Sequence, residues 1–447
     1  MQNKIEIEKI YSLSPMQEGM LFHSLVDEAS NAYFEQLVFT IRGKIDYSLF
    51  EKGLNILTER YDILRTIFQY ENVTQPFQIV LKKRKFKIDF KDLSHLGEKE
   101  IQEELEKLKQ QDKTRGFDLT RTHLMRILLL KTGEDRFKLI WSYHHILMDG
   151  WCLGIIFKEF LQIYSSLIEG KPLELTPVTP YQKYIKWLKE QNIKAGLNFW
   201  QEYLKGYDQV VTLPGMKQSP ESLEDQKYEL KSVGFTIEGE LEATLLEIAK
   251  KHQVTLNTIC QTVWGLVLQV YNNMDDVVFG AVVSGRPSGI DGIETMIGLF
   301  INTIPVRITR QEGQTFCQLL KSVHQNAIRL KAFEYLPLAE IQANSLLRRD
   351  LINHILLFEN FPRNFEVSDT KNRWQPQFIV EDIMVFEQTN YNFNIFINQD
   401  QGIQVKIDFN SLAYESYFVE KIASHVKGVF MQIPGNDDIN VGNIEII

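Results

Sequence analysis

The chain has 447 residues, of which 44% are hydrophobic and 24% charged, with a net charge of −9. That is the composition of a folded globular protein too long for one core, so two or three structural units are expected, and the acidic balance argues against general nucleic-acid binding. No secretory leader and no apolar run long enough to span a membrane is read, which sets the expectation of a cytoplasmic protein without membrane contact.

The first elements are a helix over about 14–25 and a strand over 34–41. Asp46 is placed to cap a helix whose apolar stripe is Leu49, Phe50, Leu54, Ile56 and Leu57. The basic run Lys82-Lys83-Arg84-Lys85 with Lys87 alternates with Phe86, Ile88 and Phe90, so it reads as a strand with one solvated face. A contact between this run and an acidic carrier protein is a secondary reading. A charged helix follows over 98–112, then an apolar strand over 124–130. Phe137, Leu139, Trp141 and Tyr143 alternate with Lys138, Ile140 and Ser142, the period of a strand with one apolar face. Leu153, Ile156, Phe157, Phe160, Leu161 and Tyr164 then recur at helical spacing. Three prolines and a glycine within Gly170–Pro180 break regular structure and mark a linker. Helices are expected over 181–204, then Leu241–His252 and Leu256–Tyr271, a strand Val277–Val283, and helices over 315–333 and 412–431. No internal repeat or low-complexity tract is visible.

The junction between the strand near 137–143 and the following helix carries His144, His145, Asp149 and Gly150, a His-His-x-x-x-Asp-Gly string. A continued strand puts His145 on the inward apolar face and His144 on the other, so the two imidazoles have different tasks. Gly150 lets a substrate approach the backbone. A single buried histidine, or a single aspartate before a helix, is ordinary packing or an N-cap. All four groups on one turn make a reactive constellation. The cysteines Cys152, Cys260 and Cys317 are far apart and lack metal-ligand spacing, so they read as buried free thiols of a reducing compartment. Cys152 sits two residues after the motif, with His144 and His145 near in sequence, and a nucleophilic thiol wants a histidine partner, but it also opens the apolar helical run and is read as packing.

The string resembles the core signature of condensation domains of non-ribosomal peptide synthetases, in the superfamily of chloramphenicol acetyltransferase-like enzymes. Further segments resemble that family in its order: Leu13–His23, Arg60–Phe68, Tyr181–Trp187 with Lys183 where an acid is common, Ser284-Gly285-Arg286-Pro287, Ile297–Thr303 continuing to Arg307, Tyr335–Leu338, and a weak match around Asn353–Asn360. The resemblance implies an α/β (α+β) fold of two acetyltransferase-like lobes in a V-shaped pseudo-dimer, with the active site in a tunnel at their junction. The expected division is an N-terminal lobe over 1–176 and a C-terminal lobe over 177–447. The latter carries a floor loop at about 284–299 and a latch at about 370–400 that cross to the first lobe.

The resemblance also implies the chemistry, an acyl transfer that makes an amide. The amine of an acceptor aminoacyl group attacks the thioester of a donor aminoacyl or peptidyl group, which is expected to be L-configured. Both are carried on 4'-phosphopantetheine of carrier proteins, so neither a bound cofactor nor a metal is expected in the domain. Donor and acceptor carrier proteins are the expected partners, with an adjacent adenylation domain in a larger synthetase, and a monomer is expected. His145 is expected to be the base or the orienting group, with His144 supporting the loop. Asp149 is expected to pair with Arg286, and Gly150 to offer its N–H to the carbonyl oxygen. Asn302 and Thr303 are read as packing or tunnel-wall residues. Alternatives are epimerisation on the same fold, a coenzyme A acyltransferase, and non-catalytic recruitment of carrier or partner proteins. Trp151-Cys152-Leu153-Gly154 departs from the epimerisation pattern, and the paired histidines depart from the aspartate-based motif of heterocyclisation.

Overall fold

The computed structural model describes residues 6–26, 33–121, 123–217, 228–359, 377–435 and 438–446. The chain is mixed helix and sheet and divides into two compact units: one made of residues within 1–190, 286–300 and 361–390, the other of residues within 191–285, 301–360 and 391–447.

The first unit is built on a five-stranded sheet in the order Phe378–Phe386, Phe34–Gly43, Arg136–His144, Met125–Lys131, Asp89–Asp92. Pairing is antiparallel except for the last two strands. Helices Tyr47–Arg60 and Trp151–Glu169 cover one face, burying Phe39, Phe50, Trp141, Ile156 and Phe160 together. Asp46 accepts a hydrogen bond from the Leu49 N–H at 2.9 Å and so caps the first of these helices. The charged helix Glu98–Arg115 covers the opposite face, packing Leu105 on Val38, Leu130 and Ile140. That second cover explains why both faces of the motif strand are buried, where alternation alone implied one. A small sheet, Ile7–Ser12, Phe77–Leu81 and Thr66–Gln69 in that order, completes the unit.

The second unit has a six-stranded sheet in the order Asn302–Thr309, Asp276–Val283, Ile355–Glu359, Phe393–Asp400, Gly402–Asn410, Leu230–Ile237. Helix Leu256–Asn272 is buried almost all round, Thr258, Gln261, Thr262 and Gln269 included, and its stretch Val263–Leu268 is apolar on every side. The motif residue Asn302 bonds the Glu334 and Leu336 carbonyls at 2.7 and 2.8 Å. It thereby holds the Tyr335–Leu338 segment within this unit.

Several expectations need correction. The units divide after Glu190 rather than at 176, because Tyr181, Tyr184 and Ile185 beyond the proline-rich stretch belong to the first unit's core. Of the floor segment, Arg286–Phe300 is also part of the first unit, as are the latch residues 377–390. Residues 370–376 and Asn360 lie outside the described residues. The helices expected over 181–204 are Gln182–Lys189 and Ile193–Tyr203, as read. Residues 82–87 form no strand. Phe86 is held by a helix side chain instead, Asn55 bonding both its N–H and its C=O. By length and composition the helix Trp151–Glu169 could cross a membrane, contrary to the sequence expectation, but Cys152, Ile156, Phe160, Ile163 and Tyr164 on it are buried in the core.

Candidate active site

The motif strand ends at His144, and His145–Leu147 turns as a short 3-10 segment before helix Trp151–Glu169 begins. Two backbone bonds fix the turn: the His145 N–H donates to the Tyr33 carbonyl at 2.8 Å, and the Met148 N–H to the His145 carbonyl at 3.1 Å. The first family-like segment reaches the same loop. Ser14 and Gln17 bond each other reciprocally, and Gln17 Nε2 donates to the Ile146 carbonyl at 3.1 Å.

His144 and His145 are both buried, so His144, placed by continued alternation on the face opposite the apolar one, does not face solvent either. His144 Nδ1 accepts the Ile146 N–H at 3.1 Å, which leaves the proton on Nε2, 3.4 Å from Ser24 Oγ. Burial, and then the neighbouring His145, push its pKa down to about 3. His144 is therefore a neutral brace of the turn. His145 is 8% exposed, and its Nδ1 has no hydrogen-bond partner. Burial is also the main influence on its pKa and lowers it, against the opposing effect of nearby main chain and the Asp149 charge.

Asp149 does not cap the helix. Its side chain is 1% exposed and stands 3.4 Å from Arg286 Nη2, whose own side chain is 3% exposed. Its Oδ2 accepts the Phe300 N–H at 2.9 Å. Arg286 is satisfied further by the Ile293 and Met296 carbonyls at 2.6 and 3.0 Å, and lies over the Phe300 ring. Asp149 and Arg286 together thus clamp the motif loop to the segment 286–300. Cys152 contributes to the same clamp, with Sγ 3.2 Å from the Gly298 carbonyl. Burial raises its thiol pKa, the reverse of what a nucleophile needs. Gly150 stands at the helix N-cap in right-handed backbone, φ −59°, so no conformational strain demands glycine there.

Gly298 is demanded by space. A Cβ there would lie 2.1 Å from Tyr181 Cδ2, and the Tyr181 ring is held by its hydroxyl donating to the Leu299 carbonyl at 2.6 Å. Gly298→Ala is expected to cost about 1–3 kcal/mol through overpacking, read as a lower urea midpoint with unchanged slope. An unaltered midpoint would show that the ring can yield.

Two acids that sequence reading missed complete the site. Glu35, Glu387 and His145 bring one carboxylate or imidazole atom each within 4.8 Å of one another. Strand pairing explains the convergence, since Phe34 lies opposite His144 and Phe386 opposite Gln36. Glu35 and Glu387 therefore arrive at the same end of three adjacent strands as His145. The available signal for Glu35 was a carboxylate inside the apolar run Phe34–Phe39.

Comparison with known proteins gives the class. A family model described as a condensation domain matches residues 7–447, and the chain belongs to the condensation-domain family of non-ribosomal peptide synthetases. It is 44% identical over 444 residues to gramicidin S synthase 2 of Brevibacillus brevis, covering 99% of this chain and 10% of that protein. To tyrocidine synthase 2 of Brevibacillus parabrevis it is 40% identical over 445 residues, covering 100% of this chain and 12% of that protein. The chain thus spans about a tenth of the length of these relatives. Among solved structures, the fold resembles a four-domain non-ribosomal peptide synthetase (TM-score 0.81, 18% identity, 100% of this chain and 34% of that one). It also resembles the X-domain from teicoplanin biosynthesis (TM-score 0.80, 18% identity, 99% of both chains).

Proposed function

We propose that this domain catalyses peptide-bond formation between two carrier-bound thioesters, the acceptor amine attacking the donor aminoacyl or peptidyl carbonyl and releasing the donor's phosphopantetheine thiol. The observation that carries this reading is the division of labour within the motif. His144 and Asp149 are consumed by the fold, whereas His145 keeps Nδ1 without a partner. A neutral imidazole suits removal of the proton that makes the nitrogen cationic after attack. Holding the amine in line and bonding the tetrahedral intermediate are further contributions of the same group. The Gly150 N–H at the helix start is proposed as a donor to the developing oxyanion. The carriers, a neighbouring adenylation domain, a cytoplasmic location and an L-configured donor belong to this proposal, and family membership supports the first two.

The test offers donor and acceptor carrier proteins loaded with aminoacyl-phosphopantetheine, the donor as L or D isomer, and reads dipeptide on the acceptor by mass spectrometry. Dipeptide from the L donor is expected. Product from the D donor alone would reverse the stereochemical assignment. No product from any pair, with folded domain and competent carriers, would overturn condensation. Inverted α-carbon configuration on a single loaded carrier would then indicate epimerisation, and carrier binding without chemistry would indicate recruitment.

A further inference from the structure

The proposed reaction uses His145 but assigns nothing to the two carboxylates beside it. Glu35 is buried and Glu387 is half-buried, and each offers an oxygen within 4.8 Å of the other and of a His145 ring nitrogen. The field of both acids reaches further: after burial, Glu35 and Glu387 are the next causes that raise the pKa of the Tyr143 hydroxyl. His145 is itself more than nine-tenths buried with Nδ1 unpartnered, and one of its ring nitrogens stands among the acidic oxygens, so the cluster is not a patch of surface acids.

Three converging acceptors define the shape of their ligand. A primary ammonium has three N–H donors in tetrahedral array. With charge-assisted bonds of about 2.8 Å, its three acceptors stand roughly 4.6 Å apart, which fits within the observed limit of 4.8 Å. Two carboxylates that close disfavour each other's ionisation in a buried place, and a cation between them removes that penalty.

We propose that Glu35, Glu387 and His145 form the socket for the α-ammonium group of the acceptor, and that one of the two carboxylates takes its first proton. This rests on the condensation reading. The balance is closed within the substrates and these side chains. The ammonium gives one proton to a carboxylate and becomes a neutral amine. The nitrogen lone pair forms the C–N bond while the carbonyl π pair moves to oxygen. That pair returns as the C–S bond breaks, and the second nitrogen proton passes through His145 to the departing thiolate. The products are an amide, a thiol and a protonated carboxyl group. An α-amine has a pKa of roughly 7.7–8.0, so at neutral pH most acceptor molecules arrive charged, and the socket uses that charge for recognition before removing it.

The test compares binding of two acceptor carriers to the intact domain by fluorescence anisotropy. One carries L-alanyl-phosphopantetheine; the other carries the propionyl group, which lacks only the amine. The alanyl carrier is expected to bind at least about tenfold more tightly, as charged hydrogen bonds to buried acids would give. Glu35→Gln and Glu387→Gln are each expected to remove most of that preference while leaving propionyl-carrier affinity unchanged. Glu387→Gln is the variant less exposed to folding failure, since Glu387 is only half-buried, and circular dichroism checks both. Equal preference in wild type and both folded variants overturns the socket. Stoichiometric uptake of zinc chloride that is lost in Glu35→Gln, with no alanyl preference, overturns it in favour of a metal site. A domain that makes dipeptide without alanyl preference fails the socket alone. One that prefers the alanyl carrier but makes no dipeptide keeps the socket and fails condensation.

Discussion

His145→Ala is expected to lower the dipeptide-forming rate by about 10²–10⁴-fold, the usual worth of a positioned general acid–base group. The domain should stay folded, with the moderate loss of stability that truncating a buried ring brings. Turn geometry is set by the backbone of His145 rather than by its ring. The pH profile gives a second readout. Burial lowers the His145 pKa from 6.5, so the neutral base persists to more acidic solution than a free imidazole would allow. The acid limb that reports this group should have its midpoint below 6.5 and disappear in the alanine variant. A variant retaining near-full rate would remove both the basic and the orienting roles of this residue.

The second large effect falls on stability. Asp149→Ala leaves Arg286 as a buried cation with carbonyl partners and no counter-charge. It also strips the Phe300 N–H of its acceptor. Breaking a buried pair from one side costs about 3–5 kcal/mol, a large part of the margin of an ordinary domain. Urea unfolding should show the loss directly, and activity should fall with it as the motif loop leaves the segment 286–300. Replacing both partners by apolar residues, Asp149→Leu with Arg286→Met, should recover much of the stability, since the apolar pair carries no stranded charge. A well-folded, fully stable Asp149→Ala protein without activity would instead make the carboxylate a participant in chemistry.

How legible the site was depended on whether each residue's neighbours lie near in sequence. Helix Tyr47–Arg60 with its Asp46 cap and the motif strand with its following helix are written in local period and local caps. The strands Leu230–Ile237, Ile355–Glu359, Phe378–Phe386, Phe393–Asp400 and Gly402–Asn410 were not drawn from the sequence. Ile355–Glu359 has parallel partners, and Phe378–Phe386 is an edge whose exposed residues include Ile379, Met384 and Val385. Central burial and edge exposure both erase the alternation on which strand reading relies. The motif residues His144, His145 and Asp149 were found as a string, and Arg286 through the family segment around it. Glu35 and Glu387 were missed because only the register of three strands brings them to His145, and register is a property of the whole sheet.

The late contribution of residues 286–300 and 377–390 to the first unit has a consequence for synthesis. A nascent chain that has emerged only to Glu190 holds Asp149 without Arg286, and strand Phe34–Gly43 with one edge unpaired. Such an edge is a template for wrong pairing. At about 5–20 residues per second, roughly two hundred further residues must leave the ribosome before Phe378–Phe386 can close that edge. The N-terminal half is therefore a poor unit for transplantation or for expression by itself. Splice points for exchanging such domains belong outside the interval that ends with this strand.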